Sequence, residues 1–460
     1  MNQSQELGTK PIGQVLVKMA VPASIGILVM SIYFIVDTIF VGRFVGTLGI
    51  AAITVVMPIS FLISSIGMAI GVGGASIISR ALGANDREKA YHSFGNMASL
   101  NLLLSLLLVF VGSFFQDSVL QLFGGKGDIL EPAKAYFGIL LYGIPCLAWV
   151  MMSNNVMRAE GQARKAMMSM MVPAVANIIL DPIFIIYFDW GLEGAAWATV
   201  ISYFLSAGYT LWYFFSGQSE LLITWERLKL KWIIVKDISS IGFVTLARQG
   251  SISLLTVVLN HSLFQYGDEI AIAIFGIINR IGMFANFPVL GITQGFLPIA
   301  GYNYGAQHWH RVKDVINTAI KSGTGIALLI FVCILTLSTP LVSIFTTDQE
   351  LLRRTPSALI LVFLATPLIT TQLIGSAYFQ AIGKAIPALL LTMTKQGFFL
   401  IPLVLILPLQ FGLNGIWYAF PISDVFAAAV TFWYLRREIR KNLEPHIANE
   451  PLKAVVLDEG

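Results

Sequence analysis

The stretch VKMAVPASIGILVMSIYFIVDTIFV, residues 17–41, decides how this chain is read. At 1.5 Å of rise per residue, a helix of that length covers roughly 38 Å, more than the roughly 30 Å hydrocarbon layer of a bilayer. The run does not alternate in polarity and is too long for a barrel strand, so only a helix satisfies its backbone in lipid. Nor does it read as a cleavable leader. Lys18 and Asp37 lie inside it, no small-residue cleavage pattern follows, and further apolar runs do.

Working outward, comparable runs recur at 48–78, 93–114, 132–156, 165–188, 192–215, 237–265, 270–302, 314–339, 356–380, 385–408 and 413–436. The expected fold class is therefore an all-α polytopic membrane protein with twelve transmembrane helices. Composition agrees: 56% of the 460 residues are hydrophobic and 12% charged, against about 25% charged in a soluble domain. The net charge of +4 is too small over this length for a nucleic-acid footprint. Cys146 and Cys333 lie in apolar segments and offer neither a disulfide framework nor a metal cluster. His92, His261, His308, His310 and His446 lack zinc-protease spacing, and Gly71, Gly73 and Gly74 are not followed by the Lys-Ser/Thr of a P-loop. No cofactor and no enzymatic chemistry follow from these residues, and an ion gradient is the more economical energy source.

With the amino terminus inside, only Arg43, Lys126, Arg353 and Arg354 fall in external loops, and most other Lys and Arg residues fall in internal ones. This asymmetry predicts both termini on the cytoplasmic side. The basic stretch 227–236, with Trp225 and Trp232 at its edges, reads as an interfacial linker in the headgroup layer.

A weak repeat relates the halves at an offset of 221 to 222 residues. Arg80-Ala81-Leu82-Gly83-Ala84 answers to Tyr302-Asn303-Tyr304-Gly305-Ala306. Ala159-Glu160-Gly161-Gln162-Ala163 answers to Ala381-Ile382-Gly383-Lys384-Ala385, and Trp190-Gly191-Leu192-Glu193-Gly194 to Phe411-Gly412-Leu413-Asn414-Gly415. Six runs separate equivalent points, so both copies enter the membrane in the same direction. The expectation is two six-helix bundles, 1–215 and 237–440, about a pseudo-two-fold axis along the membrane normal, with a linker at 216–236 and a polar tail at 441–460.

Charges within hydrocarbon require partners or water. Asp37 sits in the outer half of the first run. Asn177 and Asp181 are four residues apart, on one helical face, and Pro182 should bend the ladder and release the carbonyl of Ile178. Thr199 falls at a similar depth. Asp37, Asn177, Asp181 and Thr199 thus form a candidate layer of oxygen ligands for H+ or Na+, in which two nearby carboxylates resist simultaneous ionisation. The second half does not repeat these acids; it carries Arg248, Arg280, Lys395 and Asp424 instead, which can pair internally, bind lipid or orient an anionic group. Methionines at 151, 152, 157, 167, 168, 170 and 171 suggest an adaptable pocket wall or ordinary packing, with Asn154 and Asn155 as polar contacts.

These motifs resemble those of the MATE (multidrug and toxic compound extrusion) family, especially its MepA-like or DinF-like bacterial branch. The resemblance runs through Val36-Asp37-Thr38-Ile39-Phe40-Val41-Gly42, Arg158-Ala159-Glu160-Gly161-Gln162, Asn177 through Pro182, and Pro298 through Ala306. It implies a V-shaped antiporter of the bacterial inner membrane, working as a monomer, that exports amphipathic and often cationic compounds in exchange for H+ or Na+. It places the coupling residues at Asp37, Asn177, Asp181 and Thr199, and makes Tyr33, Tyr136, Met151, Asn154 and Asn155 substrate contacts. Second-lobe acids used by NorM-like relatives are missing at the positions that match. A lipid-linked oligosaccharide flippase is the alternative; a prenyltransferase lacks its Asp-rich motifs here, and a channel would need a continuous selective path.

Overall fold

A computed structural model describes residues 3–448, and these are helical nearly throughout. The chain opens with a short helix, α1 (Gln3–Thr9), followed by the long α2 (Ile12–Phe44), α3 (Thr47–Gly83) and α4 (Arg87–Phe114). A short α5 (Gln116–Leu122) leads into α6 (Leu130–Ala159), α7 (Ala163–Asp181) and α8 (Gly191–Phe215). After a non-helical segment come α9 (Trp232–Tyr266), α10 (Glu269–Gly305), α11 (Trp309–Ser343), α12 (Gln349–Phe363) and α13 (Thr366–Ala381). The chain continues through α14 (Ala385–Met393), α15 (Ile401–Ile406), α16 (Pro408–Phe411), α17 (Leu413–Glu438) and α18 (Glu444–Ala448).

Among the described residues, ten helical segments are long and apolar enough to cross a membrane, or eleven if α12 and α13, bent by 44°, form one span. The run expected at 192–215 is present as α8, a 25-residue helix that is not among these ten. Exposed apolar side chains follow the lipid side of α4 at Leu102, Leu103, Leu106, Leu107, Phe110 and Phe114, at helical spacing. The protein is a multi-pass membrane protein.

Two breaks fall where proline removes a helical donor. Beyond Asp181 the backbone widens into π turns over Pro182–Tyr187, and the N–H of Phe188 reaches the carbonyl of Ile183 at 2.9 Å. A second widened segment, Thr394–Leu400, precedes Pro402. Such turns recur at functional sites.

The segment expected as the linker, 216–236, is non-helical over residues 216–231, and α9 begins at Trp232. It is pinned to α4: Asn96 donates to the carbonyl of Lys229 and accepts from the N–H of Lys231, Ser99 donates to the carbonyl of Leu228, and Arg227 pairs with Glu88. Trp225 and Trp232 remain 88% and 76% exposed. The expected polar tail 441–460 is helical as far as Ala448, and residues 449–460 lie outside the described chain.

Buried apolar side chains form three clusters. One joins both halves, from Leu7 and Phe94 to Phe296 and Tyr378. Another belongs to the first half alone, from Val41 to Val200, and the third to the second half alone, from Leu255 to Ala419. The halves therefore share a core at the end that carries α1 and the linker and have separate cores at the other. Their seam is made by glycines. A methyl at Gly83 would strike the carbonyl of Tyr302, and one at Gly305 would strike the carbonyl of Arg80; the two contacts are equivalent at an offset of 222 residues. Likewise Gly73 meets the carbonyl of Ile238, and Gly295 approaches Ala20. Left-handed turns repeat with similar geometry at Asn85 and Gln307 (φ 58° each), Gly161 and Gly383 (80° and 83°), and Gly191 and Gly412 (51° and 56°).

Candidate functional site

Asp37 projects from the far part of α2, Asp181 from the last turn of α7, and Thr199 from α8. Asn177 and Asp181 are fully buried and Asp37 half-buried. In the amide orientation that satisfies both ends of Asn177, its NH2 donates to Asp181 Oδ2 at 2.7 Å and its oxygen lies 3.3 Å from the N–H of Thr199. Thr199 Oγ1 donates to the carbonyl of Ala195 at 3.0 Å, which leaves its lone pairs open. Asp181 Oδ1 has no hydrogen-bond partner, and the Asp181 and Asp37 carboxyls lie against each other. Two carboxylates repel; a contact between them needs a shared proton or a cation. The structure thus brings Asp37, Asn177, Asp181 and Thr199 together in one cluster.

Asp37 opens onto a cavity of about 160 Å³ walled by Tyr33, Tyr136, Tyr203, Phe34, Phe61 and Met151. Thr199 also reaches it. A second cavity of about 120 Å³ shares Met30, Met151 and Tyr203 with the first, and adds Met170, Asn154 and Asn155. Both asparagines spend their NH2 groups on the protein: Asn154 donates to the carbonyl of Ala166 and to Ser169, and Asn155 to the carbonyl of Met151. The methionine stripe divides. Met151 and Met170 face cavities, whereas Met152 and Met157 are fully buried in the shared core.

One residue escaped the sequence reading, and another was read in the wrong place. Tyr203 lies beside Asp37 but looks like any aromatic in an apolar run. Arg158 counts by sequence as an internal-loop cation; the structure buries it at 5% exposure within α6, where Nη1 donates to Gln294 of α10 at 2.8 Å and Nε has no partner. This is a polar bridge between the halves at their shared end.

In the second half, Lys395 makes an ion pair with Asp424, itself 3% exposed. Arg248 does not join that pair and faces a cavity of about 450 Å³. Arg280 sits on the exposed side of α10 and likewise does not reach Asp424. Among the described residues, no group of three or more His, Cys, Asp or Glu can hold a metal ion.

Long apolar helices wrapped around buried charges that face internal cavities define a polytopic membrane protein of the carrier type. The MatE family model matches the chain twice, over residues 22–183 and 245–406, and the chain belongs to that family. The multidrug export protein MepA of Staphylococcus aureus is 28% identical over 435 residues, covering 93% of this chain and 95% of that protein. MepA of Staphylococcus saprophyticus is 27% identical over 423 residues, covering 91% and 93%. A solved structure described as the outward-facing conformation of a multidrug resistance MATE family transporter superposes with a TM-score of 0.87 at 28% identity, covering 95% of this chain and 97% of that one. A transporter of the MOP superfamily from Pyrococcus furiosus superposes at 0.89 with 28% identity, covering 95% and 97%.

Proposed function

We propose that this protein is a secondary active multidrug efflux antiporter of the bacterial inner membrane, exporting amphipathic, often cationic compounds in exchange for H+ or Na+ by alternating access. The observation that carries the reading is the contact of Asp37 with Asp181 beside an aromatic and methionine-lined cavity, where Asp181 Oδ1 lacks a donor. A proton or Na+ relieves that contact; a cationic substrate in the adjoining cavity competes for the same charge. Asn177 fixes the orientation of Asp181, and Thr199 contributes oxygen lone pairs. Tyr33, Tyr136, Met151, Asn154 and Asn155 form the substrate wall on this reading, with the working unit a monomer.

The architecture proposed for this cycle is twelve spans in two six-helix bundles, 1–215 and 237–440, joined through 216–236 about a pseudo-two-fold axis, with both termini cytoplasmic. The double family match, the repeated left-handed turns and the reciprocal glycine contacts at one offset support it. The core shared at one end and split at the other supports rocking of one bundle against the other.

The test is efflux of a cationic dye from proteoliposomes under H+ and Na+ gradients imposed separately. Wild type should export against at least one gradient, and Asp37→Asn and Asp181→Asn should lose the response to it. Unchanged coupling in both variants would overturn the assignment of the coupling site. Transport of a lipid intermediate without dye export would favour a flippase.

A further inference from the structure

We propose that the 450 Å³ cavity of the second half is a distinct binding site for an anionic oxygen group, a carboxylate or phosphate carried by an amphiphile, with Arg248 as its principal contact and Lys395 as its second. This deepens the transport reading and rests on it for the cavity's place on the substrate path.

Arg248 lines the cavity from α9 and has neither an acidic partner nor a protein hydrogen bond among the described residues. A guanidinium in a membrane-spanning helix is costly unless an anion or water compensates it. The cavity supplies no such anion: no Asp or Glu lines it. Lys395 also lines it, from the widened turn 394–400, with its side chain 21% exposed and its ammonium against Asp424. That pair lies with its acidic member outside the cavity wall and its basic member on it. An ammonium has three donors, so two remain after the ion pair is made. Asn279, Gln372 and Gln396 also line the cavity, with neutral amides able to donate N–H groups. The result is one uncompensated positive charge, a second positive head already half-neutralised, and a rim of donors. This chemistry repels a bare cation and accepts carboxylate or phosphate oxygens, for which the guanidinium fork is suited.

The polarity is opposite to that of the first half, where Asp37 opens onto aromatic rings and methionine sulfur. A chamber formed between the halves would present acid on one wall and base on the other. The substrates that use both walls are zwitterionic amphiphiles; those that use the second alone are amphipathic anions.

The experiment is an equilibrium fluorescence titration of the full chain in phosphatidylcholine nanodiscs, with dansylglycine and its uncharged analogue dansylglycinamide as probes. Wild type should bind dansylglycine about tenfold more tightly than the amide, the scale of a charge-assisted hydrogen bond. Arg248→Gln should bring that ratio to about one, and Arg248→Lys should retain a several-fold preference. Comparing two probes on one variant removes any general loss of affinity or of folded protein. A ratio of one in wild type, or an unchanged ratio in Arg248→Gln, overturns the proposal. Repeating the titration in nanodiscs enriched in phosphatidylglycerol separates the sources of the anion. Competition in wild type but not in Arg248→Gln identifies a lipid phosphate, and no competition identifies a solute. No gradient is applied, so failure of ion coupling leaves this result intact, and failure here leaves the coupling site untouched.

Discussion

The two halves of the molecule share a backbone plan and differ in what they bury. Their left-handed turns and seam glycines recur at one offset, yet the first half collects two carboxylates with tyrosines, and the second a lysine–aspartate pair with a lone arginine. Close packing between backbones leaves no room for a side chain, so the seam holds both copies to glycine. Cavity walls have open space before them. Their side chains are free to differ in charge, and the two copies have taken opposite signs.

The sharpest test of this contrast is Lys395→Met. It leaves Asp424 charged, buried and without its cation, a loss expected to cost about 3–5 kcal/mol. Thermal unfolding in detergent should show a large fall in Tm, and Lys395→Met combined with Asp424→Leu should recover most of it. No such effect is expected from neutralising Asp37 or Asp181 in the first half. If the single and double variants melt together, the pair is not holding the second half in place.

Next in size is the turn after α6. Buried Glu160 accepts from Ser219, from the N–H groups of Glu220 and Leu221, and from Tyr213, tying the turn to the linker. Its counterpart at this offset is Ile382, where a partly exposed Lys384 paired with the more buried Glu438 serves two residues on. Burial pushes the Glu160 carboxyl up to about 7, against the opposing pull of its hydrogen bonds from Ser219 and Tyr213. Between the usual carboxylate range and that value, the folded protein keeps a proton the unfolded chain has released. Stability therefore falls as the pH rises through this window. The difference in unfolding free energy between wild type and Glu160→Gln should shrink on the order of 2–3 kcal/mol from pH 4.5 to 7.5, and a flat difference would contradict it.

Asp37→Asn and Asp181→Asn should do the reverse of Lys395→Met. Each removes a charge the fold does not need, so Tm should hold, while gradient-driven dye efflux should fall at least about tenfold, or about 1.4 kcal/mol. The smallest effect belongs to Thr199→Val, which removes one hydroxyl and its bond to Ala195; a stability change of about 1 kcal/mol and a weaker cation dependence of efflux are expected.

The apolar runs were legible because lipid imposes one backbone solution, and a carboxyl inside such a run is conspicuous. That is why Asp37, Asn177, Asp181 and Thr199 stand out from composition and spacing alone, and why the structure finds them adjacent. Helix α1 was not legible. Its QSQELGT has no apolar period, and it is held by tertiary contacts: Ser4 donates to Glu220, and Asn303 and Arg311 donate to the carbonyl of Leu7. Arg158 was misplaced for a related reason, since a positive-inside pattern cannot distinguish a cation at a helix end from one drawn inward to Gln294. Nor does sequence reveal which of several cations finds Asp424. Lys395 does so because the widened turn presents it there, while Arg248 and Arg280 lie elsewhere on their helices.

The reciprocal collision of Gly83 with Tyr302 and of Gly305 with Arg80 has a hereditary consequence. A gene duplication ordinarily frees one copy to wander. Here each copy is the other's mould, so a larger residue in either would wedge the pair apart at their shared core. Diversification is confined to the hollows, and new cargo can be acquired there without disturbing the seam.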